Sequence, residues 1–298
     1  TSLPCQSIGT KHTTLPRLIF TPPFSTMKPP LHSAPSPLKP RRFRMVCAYD
    51  GTHYFGWQTQ PGYASLQETI ESVLAGIVKT NAVEIHASGR TDHGVHAKGQ
   101  VFHCDLITRM STHSLKMALN AHGRLPQDIR ILSCREVSPA FHARFSAIRK
   151  EYRYYVWNTR LMPPTKRLYH AHIVKPLNLE AMQHAAAHFI GEHDFAAFSA
   201  NPNRPIESTV RTIYSFQISK CGSQLCFRVQ GNGFLYKMVR SLVGFLLRVG
   251  SGQETPEQVL TLLTPGTPRT ARVPSAPACG LFLWHVWYAA PLQRKNNP

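Results

Sequence analysis

The chain has 298 residues, 42% of them hydrophobic, enough for one large folded unit or two modest ones. No apolar run reaches the ~18 residues that a membrane-spanning helix needs, and even Phe234 to Val249 is interrupted by Lys237, Arg240 and Arg248. With 34 Lys and Arg against 15 Asp and Glu the formal net charge is +19. So large an excess points to a polyanionic partner, nucleic acid, ahead of an anionic membrane surface or simple solubility.

Residues 1–42 read as a leader. Thr1 to Pro40 is rich in Ser, Thr and Pro, carries Lys11, Arg17, Lys28 and Lys39, and holds no acidic residue; the first is Asp50. That is the composition of an organelle transit peptide, and the scarcity of Arg before Arg41 favours a plastid over a mitochondrion. The competing reading is a disordered basic arm that touches RNA, with a cytoplasmic or nuclear protein behind it. Because the sequence opens on Thr1 in place of Met, its natural start is expected upstream.

Beyond the leader, Phe43 to Ala48 reads as a strand, and Asp50-Gly51 as a turn leading through Trp57 to the capping box Ser65-Leu66-Gln67-Glu68. Leu66, Ile70, Val73, Leu74 and Ile77 follow at helical spacing and predict a helix lying on a sheet by one apolar stripe. Strands are predicted at Val83 to Ala87, Gln100 to Leu106 and Ile129 to Val137, with a short helix around Leu115 to Ala121. The order is β-α-β-β-α-β.

A second run repeats it: a strand at Glu151 to Trp157, a helix at Leu179 to Ile190, and strands at Val210 to Ser219 and Leu225 to Val229. A helix then begins near Phe234, and a last strand runs from Leu281 to Trp287. Thr255-Pro256-Glu257-Gln258 combines an N-cap, a proline at the first helical position and a capping glutamine, so one more helix is inserted before that strand. The expected fold is α+β, two ferredoxin-like halves over residues 43–148 and 149–290. Each is a mainly antiparallel sheet with helices on one face, with a cleft for folded RNA between them and a tail at 291–298. The seven cysteines form no CxxC pair, and Cys47, Cys104 and Cys226 sit in apolar runs, as reduced core thiols of an intracellular protein would.

Chemistry concentrates in Gly89-Arg90-Thr91-Asp92-His93-Gly94-Val95-His96-Ala97. Glycines permit the tight backbone path that presents Asp92, and a carboxylate beside cations stays ionised, as a nucleophilic carboxylate must. On physical grounds alone, Arg-x-Asp in a loop also describes a structural ion pair.

The run GRTDHGVHA with the following GQVFH closely resembles the signature of TruA-type tRNA pseudouridine synthases. The resemblance continues through Tyr49-Asp50-Gly51, Phe55-Gly56-Trp57-Gln58, Phe141 to Ala147, and Tyr152-Arg153-Tyr154. It recurs at His193-Asp194-Phe195 with Phe198, Gly231-Asn232-Gly233-Phe234, Met238-Val239-Arg240 and Gly280 to Leu283, so it spans residues 45–288 in family order.

By that resemblance Asp92 is the catalytic aspartate and Arg90 helps to hold a flipped-out nucleotide. Tyr152 packs on the target uracil and serves as a proton acceptor, and Arg240 pairs with the catalytic carboxylate. Read without the family, Tyr152 shares a strand face with Tyr154 and Val156 as a core tyrosine would, and Arg240 lies opposite the stripe Phe234, Met238, Leu242, Phe245 and Val249 as a solvated arginine would. His93 departs from the small residue expected there and reads as a tolerated variation.

The resemblance implies isomerisation of uridine in tRNA, around positions 38 to 40 of the anticodon stem-loop, by a homodimer and without a cofactor. The bond from N1 to C1′ breaks, the uracil turns, and C5 joins C1′, with no redox change; Asp92 either attacks the sugar or promotes elimination. The absence of GxxxxGK[ST], GxGxxG and zinc spacings fits that chemistry. Two rivals are an RRM-like binding module, whose basic-aromatic RNP1 pattern is missing, and a metal-dependent nuclease built on Asp92, His93, His96 and His103.

Overall fold

The computed structural model describes residues 38–200 and 207–289. The leader expected over residues 1–42 lies almost wholly outside the described residues, as does the tail at 291–298. In chain order come β1 (Arg41–Tyr49), α1 (Leu66–Val78), β2 (His86–Ala87), β3 (His96–Leu106), α2 (Thr112–Asn120) and β4 (Ile129–Val137). Then follow β5 (Ala147–Trp157), β6 (Ala171–His172), α3 (Leu179–Ala187), β7 (Gly191–Asp194), β8 (Val210–Cys221), β9 (Gln224–Gly231), α4 (Met238–Gly250), α5 (Gln258–Leu262) and β10 (Leu281–Tyr288). The fold is α+β with a mainly antiparallel sheet; β6 and β7 are short strands that local pattern does not announce.

Local signals account for the helices. At α1 the Ser65 hydroxyl accepts from the Glu68 amide at 3.2 Å, and Leu66, Ile70 and Leu74 are fully buried at the predicted spacing. The Thr255 amide donates to Gln258 Oε1 at 2.9 Å, closing the second capping device at the start of α5. Within the strands alternate residues are buried: Phe43, Met45, Cys47 and Tyr49 on β1, and Tyr152, Tyr154 and Val156 on β5. The helices cover the face to which these side chains point.

All of the strands join one sheet, in the order β4-β1-β3-β10-β5-β9-β8-β7, with β2 added beside β3 and β6 beside β5. Its seam is β10. Phe282 and Leu283 lie opposite His96 and Ala97 in parallel pairing, while Leu281 to Tyr288 runs antiparallel to β5. Backbones close tightly there: a Cβ on Gly99 would sit 2.7 Å from the Trp284 carbonyl oxygen, and one on Gly280 would sit 2.7 Å from the Tyr154 ring.

Helix α4 starts later than the sequence predicts, at Met238 instead of near Phe234. Lys237 takes the left-handed conformation, φ 57, and ends the preceding turn. The helix is also buried on more than its expected stripe, because residues 274–276 pack along it. The Ala276 amide donates to the Arg240 carbonyl at 2.9 Å, and a Cβ on Gly244 would fall 2.0 Å from the Pro274 carbonyl oxygen.

Candidate active site

Asp92 sits in the loop between β2 and β3, and the chain around Tyr54 to Trp57 moulds that loop. The Trp57 amide donates to the Thr91 carbonyl at 3.0 Å, the Gly94 amide to the Tyr54 carbonyl at 3.3 Å, and the Val95 amide closes a turn onto the Asp92 carbonyl at 3.1 Å. Gly56 is required on two counts: its φ is +92, and a Cβ there would lie 2.5 Å from the Thr91 carbonyl oxygen. Thr91 is buried and its hydroxyl meets the Tyr49 hydroxyl at 2.9 Å. From β3, fully buried Gln100 accepts from Ser88 Oγ at 2.7 Å and donates to the Gly89 carbonyl at 2.8 Å. Thus the motif GQVFH clamps the start of the loop whose middle carries Asp92.

The second half of the chain supplies the partner. Arg240 donates through Nη1 to Asp92 Oδ2 at 2.9 Å and through Nε to the Ala276 carbonyl at 2.7 Å. Both side chains are mostly shielded, with 15% of Arg240 and 19% of Asp92 exposed, so this is not a solvated surface arginine. The two anchors are 148 residues apart in the case of Asp92, and on the packed 274–276 segment in the case of Ala276. A charge-assisted contact so held fixes the carboxylate's position as well as its charge.

Tyr152 is buried, with its ring edge-on to Phe234 at 5.1 Å. Burial first, and the charge of Asp92 second, push its hydroxyl well above the ordinary tyrosine range. At neutral pH it therefore stands protonated. It can donate a hydrogen bond or relay a proton, but it is no standing phenolate, which sharpens the proton-acceptor role expected for it. Arg90 is exposed on the same loop as Asp92. His93 is exposed too, its Nδ1 2.9 Å from the Tyr54 carbonyl and its ring against Phe55, centroids 4.6 Å apart.

These groups line one cleft of about 1140 Å³, with Asp92, Arg90, Tyr152 and Arg240 all on its wall. Cationic and aromatic side chains are prominent on the rest of the wall, among them Arg144, Lys150, Lys237, Phe145 and Tyr236, with Glu84 as its other acid. Stacking surfaces beside positive charge are what a single-stranded or splayed RNA segment requires. All four site residues read from the sequence are thus brought together. Lys150 and Gln100 were not singled out; the alternation that places Tyr152 on the cleft face would have placed Lys150 there also.

The histidines of the nuclease reading scatter. His96 Nδ1 accepts from the Gly51 amide at 3.1 Å and its Nε2 meets the Leu168 carbonyl at 3.0 Å. His103 accepts from the Ala143 amide at 3.2 Å. Among the described residues no group of three or more potential ligands is placed to hold a metal ion, and no helix is long and apolar enough to cross a membrane.

An arginine-held aspartate on the wall of a cleft rich in cationic and aromatic side chains, carried by a mainly antiparallel sheet, is an arrangement suited to a large anionic ligand. The comparisons with known proteins specify the class. A family model described as tRNA pseudouridine synthase matches residues 45–146 and 185–289. A tRNA pseudouridine synthase A of an Exiguobacterium species is 44% identical over 83% of this chain and 98% of its own. That of Geobacillus kaustophilus is 44% identical over 83% and 95%, and tRNA pseudouridine synthase A 1 of Protochlamydia amoebophila is 41% identical over 83% and 96%. The chain belongs to the tRNA pseudouridine synthase family.

Proposed function

We infer that the chain is an isomerase that converts uridine to pseudouridine in tRNA, with Asp92 as its reacting carboxylate. The observation that carries this reading is the Asp92–Arg240 contact of 2.9 Å inside the basic cleft, which joins the run GRTDHGVHA to the segment Met238-Val239-Arg240. Arg240 engages Oδ2 of that carboxylate and fixes its orientation in the cleft. Extruding a base from its stack costs a few kcal/mol, which stacking on Tyr152 and contacts from Arg90 offset. Once the uridine is seated, Asp92 acts at the sugar or promotes departure of the base. The protonated Tyr152 hydroxyl then exchanges a proton as C5 replaces N1 on C1′. Arg240 keeps the carboxylate aimed throughout.

The finer assignments extend from the resemblance: uridines 38 to 40 of the anticodon stem-loop as targets, a homodimer gripping one tRNA, two like halves at 43–148 and 149–290, and a plastid leader at 1–42. Mapping pseudouridines in unmodified tRNA incubated with the purified protein tests the activity. Product confined to the anticodon stem-loop and unaffected by chelator is expected, and no product on any tRNA overturns the reading. Sedimentation checks the dimer. Removing Thr1 to Pro40 is expected to leave activity intact and abolish organelle import in cells, whereas a marked loss of tRNA affinity on truncation favours the RNA-touching arm.

A further inference from the structure

Lys150 is the charged group in the cleft that the chemistry above does not use. Strand alternation sets it on the face of Tyr152, two residues away, and its Nζ donates to the Ser88 carbonyl at 2.6 Å. A Cβ on Gly89 would lie 3.4 Å from that Nζ, so the ammonium stands at the base of the loop that carries Arg90 and Asp92. An ammonium has three donors, and one is spent on Ser88.

Its charged surroundings are of its own sign. Arg144, from the turn after β4, and Arg211, on β8, both lie close enough to weigh on it electrostatically. Its register partners across β9 and β10, Gly231 and Val286, carry no charge. Around the cleft wall stand Arg90, His86, His142, Lys237 and Arg240; of the two carboxylates there, Asp92 is engaged by Arg240 and Glu84 lies 3.6 Å from His86. Among the described residues no carboxylate lies within ion-pair distance of Lys150. Burial, then Arg144 and Arg211, push it down to about 8. A half-buried cation held beside cations is a cost to the empty protein, and it is removed when a ligand brings the missing negative charge.

Building on the RNA reading of the cleft, we propose that Lys150, flanked by Arg144 and Arg211, binds a backbone phosphate of the tRNA beside the nucleotide presented to Asp92. Phosphate is the anion that such a ligand carries at every nucleotide, and a compact ammonium is suited to it as a point charge. Engagement of the phosphate raises Lys150 again, so binding above pH 8 takes up a proton.

The test uses the full chain, as wild type, Lys150→Met and Lys150→Arg, with an unmodified tRNA transcript at fixed salt. Affinity is measured at pH 7.0 and 8.5, alongside pseudouridine formation and thermal melting. Wild-type affinity is expected to fall about fourfold between those pH values, from a site that titrates near 8 when empty and stays charged when bound. Lys150→Arg keeps the affinity and loses the pH dependence. Lys150→Met binds about tenfold more weakly at pH 7.0, with a salt slope shallower by about one, and melts no lower than wild type. Wild-type affinity and pH dependence in Lys150→Met overturn the proposal, as does a marked drop in melting temperature in both variants, which makes Lys150 structural. Absence of product from the wild type sinks the enzyme reading instead, and the affinities still decide Lys150.

Discussion

Glu151 and Tyr152 are neighbours on β5 and face opposite sides of the sheet, and the charges on the two sides are handled in contrasting ways. On the side away from the cleft, the Glu151 carboxylate is buried and saturated: Arg153 at 2.7 Å, Gln230 at 2.6 Å and Arg228 at 3.0 Å. Burial works against its ionisation, but those three partners outweigh it and hold the carboxyl below the ordinary glutamate range. On the cleft side Asp92 has Arg240 on one oxygen, and Lys150 has a single carbonyl. The Glu151 carboxylate is closed off by its partners, whereas the charged groups of the cleft face a volume large enough for a ligand.

The contrast breaks hardest at Asp92. Asp92→Asn keeps the shape of the side chain and removes its charge, so turnover is expected to fall on the order of 10⁴-fold, the scale of neutralising one carboxylate in a catalytic constellation. Fold and tRNA binding should survive; appreciable pseudouridine from this variant would end the assignment. Arg240→Met is expected to cost about 10²-fold in turnover, since Asp92 loses its aim as well as its counter-charge, and about 1–3 kcal/mol of stability. Unchanged turnover would make the pair a structural one. Tyr152→Phe keeps the ring for stacking and removes the hydroxyl, so turnover should drop about 10-fold or more with tRNA affinity little changed. Equal losses in both would reduce Tyr152 to a packing residue.

Glu151→Gln is the smallest effect on catalysis and the sharpest control. Arg153 and Arg228 lose their acid, so chemical denaturation should show a loss of about 1–3 kcal/mol with pseudouridine formation intact. The sign of its pH dependence follows from a carboxyl held low in the folded state. The stabilisation is complete above the ordinary glutamate range and drains away as the pH falls through the lowered value. The wild type should therefore lose more stability than Glu151→Gln on acidification, and parallel curves would deny Glu151 its structural role.

Much of this was legible in the chain. β4 runs over the residues that its pattern predicts, Ile129–Val137, and the caps at Ser65 and Thr255 form as their sequences announce. The candidate site was legible through its motifs, which depend on backbone path and side-chain chemistry together. What local pattern did not carry was distance. Arg240 reads as surface because its helix shows one stripe, and its true surroundings arrive from residues 274–276 and from Asp92, far along the chain. α1 was legible because cap and stripe agree, whereas β2 shrinks to His86–Ala87 because the Ile85 amide turns to the Glu71 carboxylate, 2.9 Å away, instead of to a strand. The seam at β10 has no local signature, since pairing with both β3 and β5 is a property of the finished sheet.

That seam is made last among the described elements. Asp92 leaves the ribosome in the first third of the chain, Tyr152 midway, Arg240 later, and β10, the strand that holds β3 against β5, last among the described elements. The Asp92–Arg240 contact thus joins parts of the chain made far apart in time, and the strand between the two halves of the sheet follows both. Long-range closure of this kind folds slowly, after the local hairpins have formed.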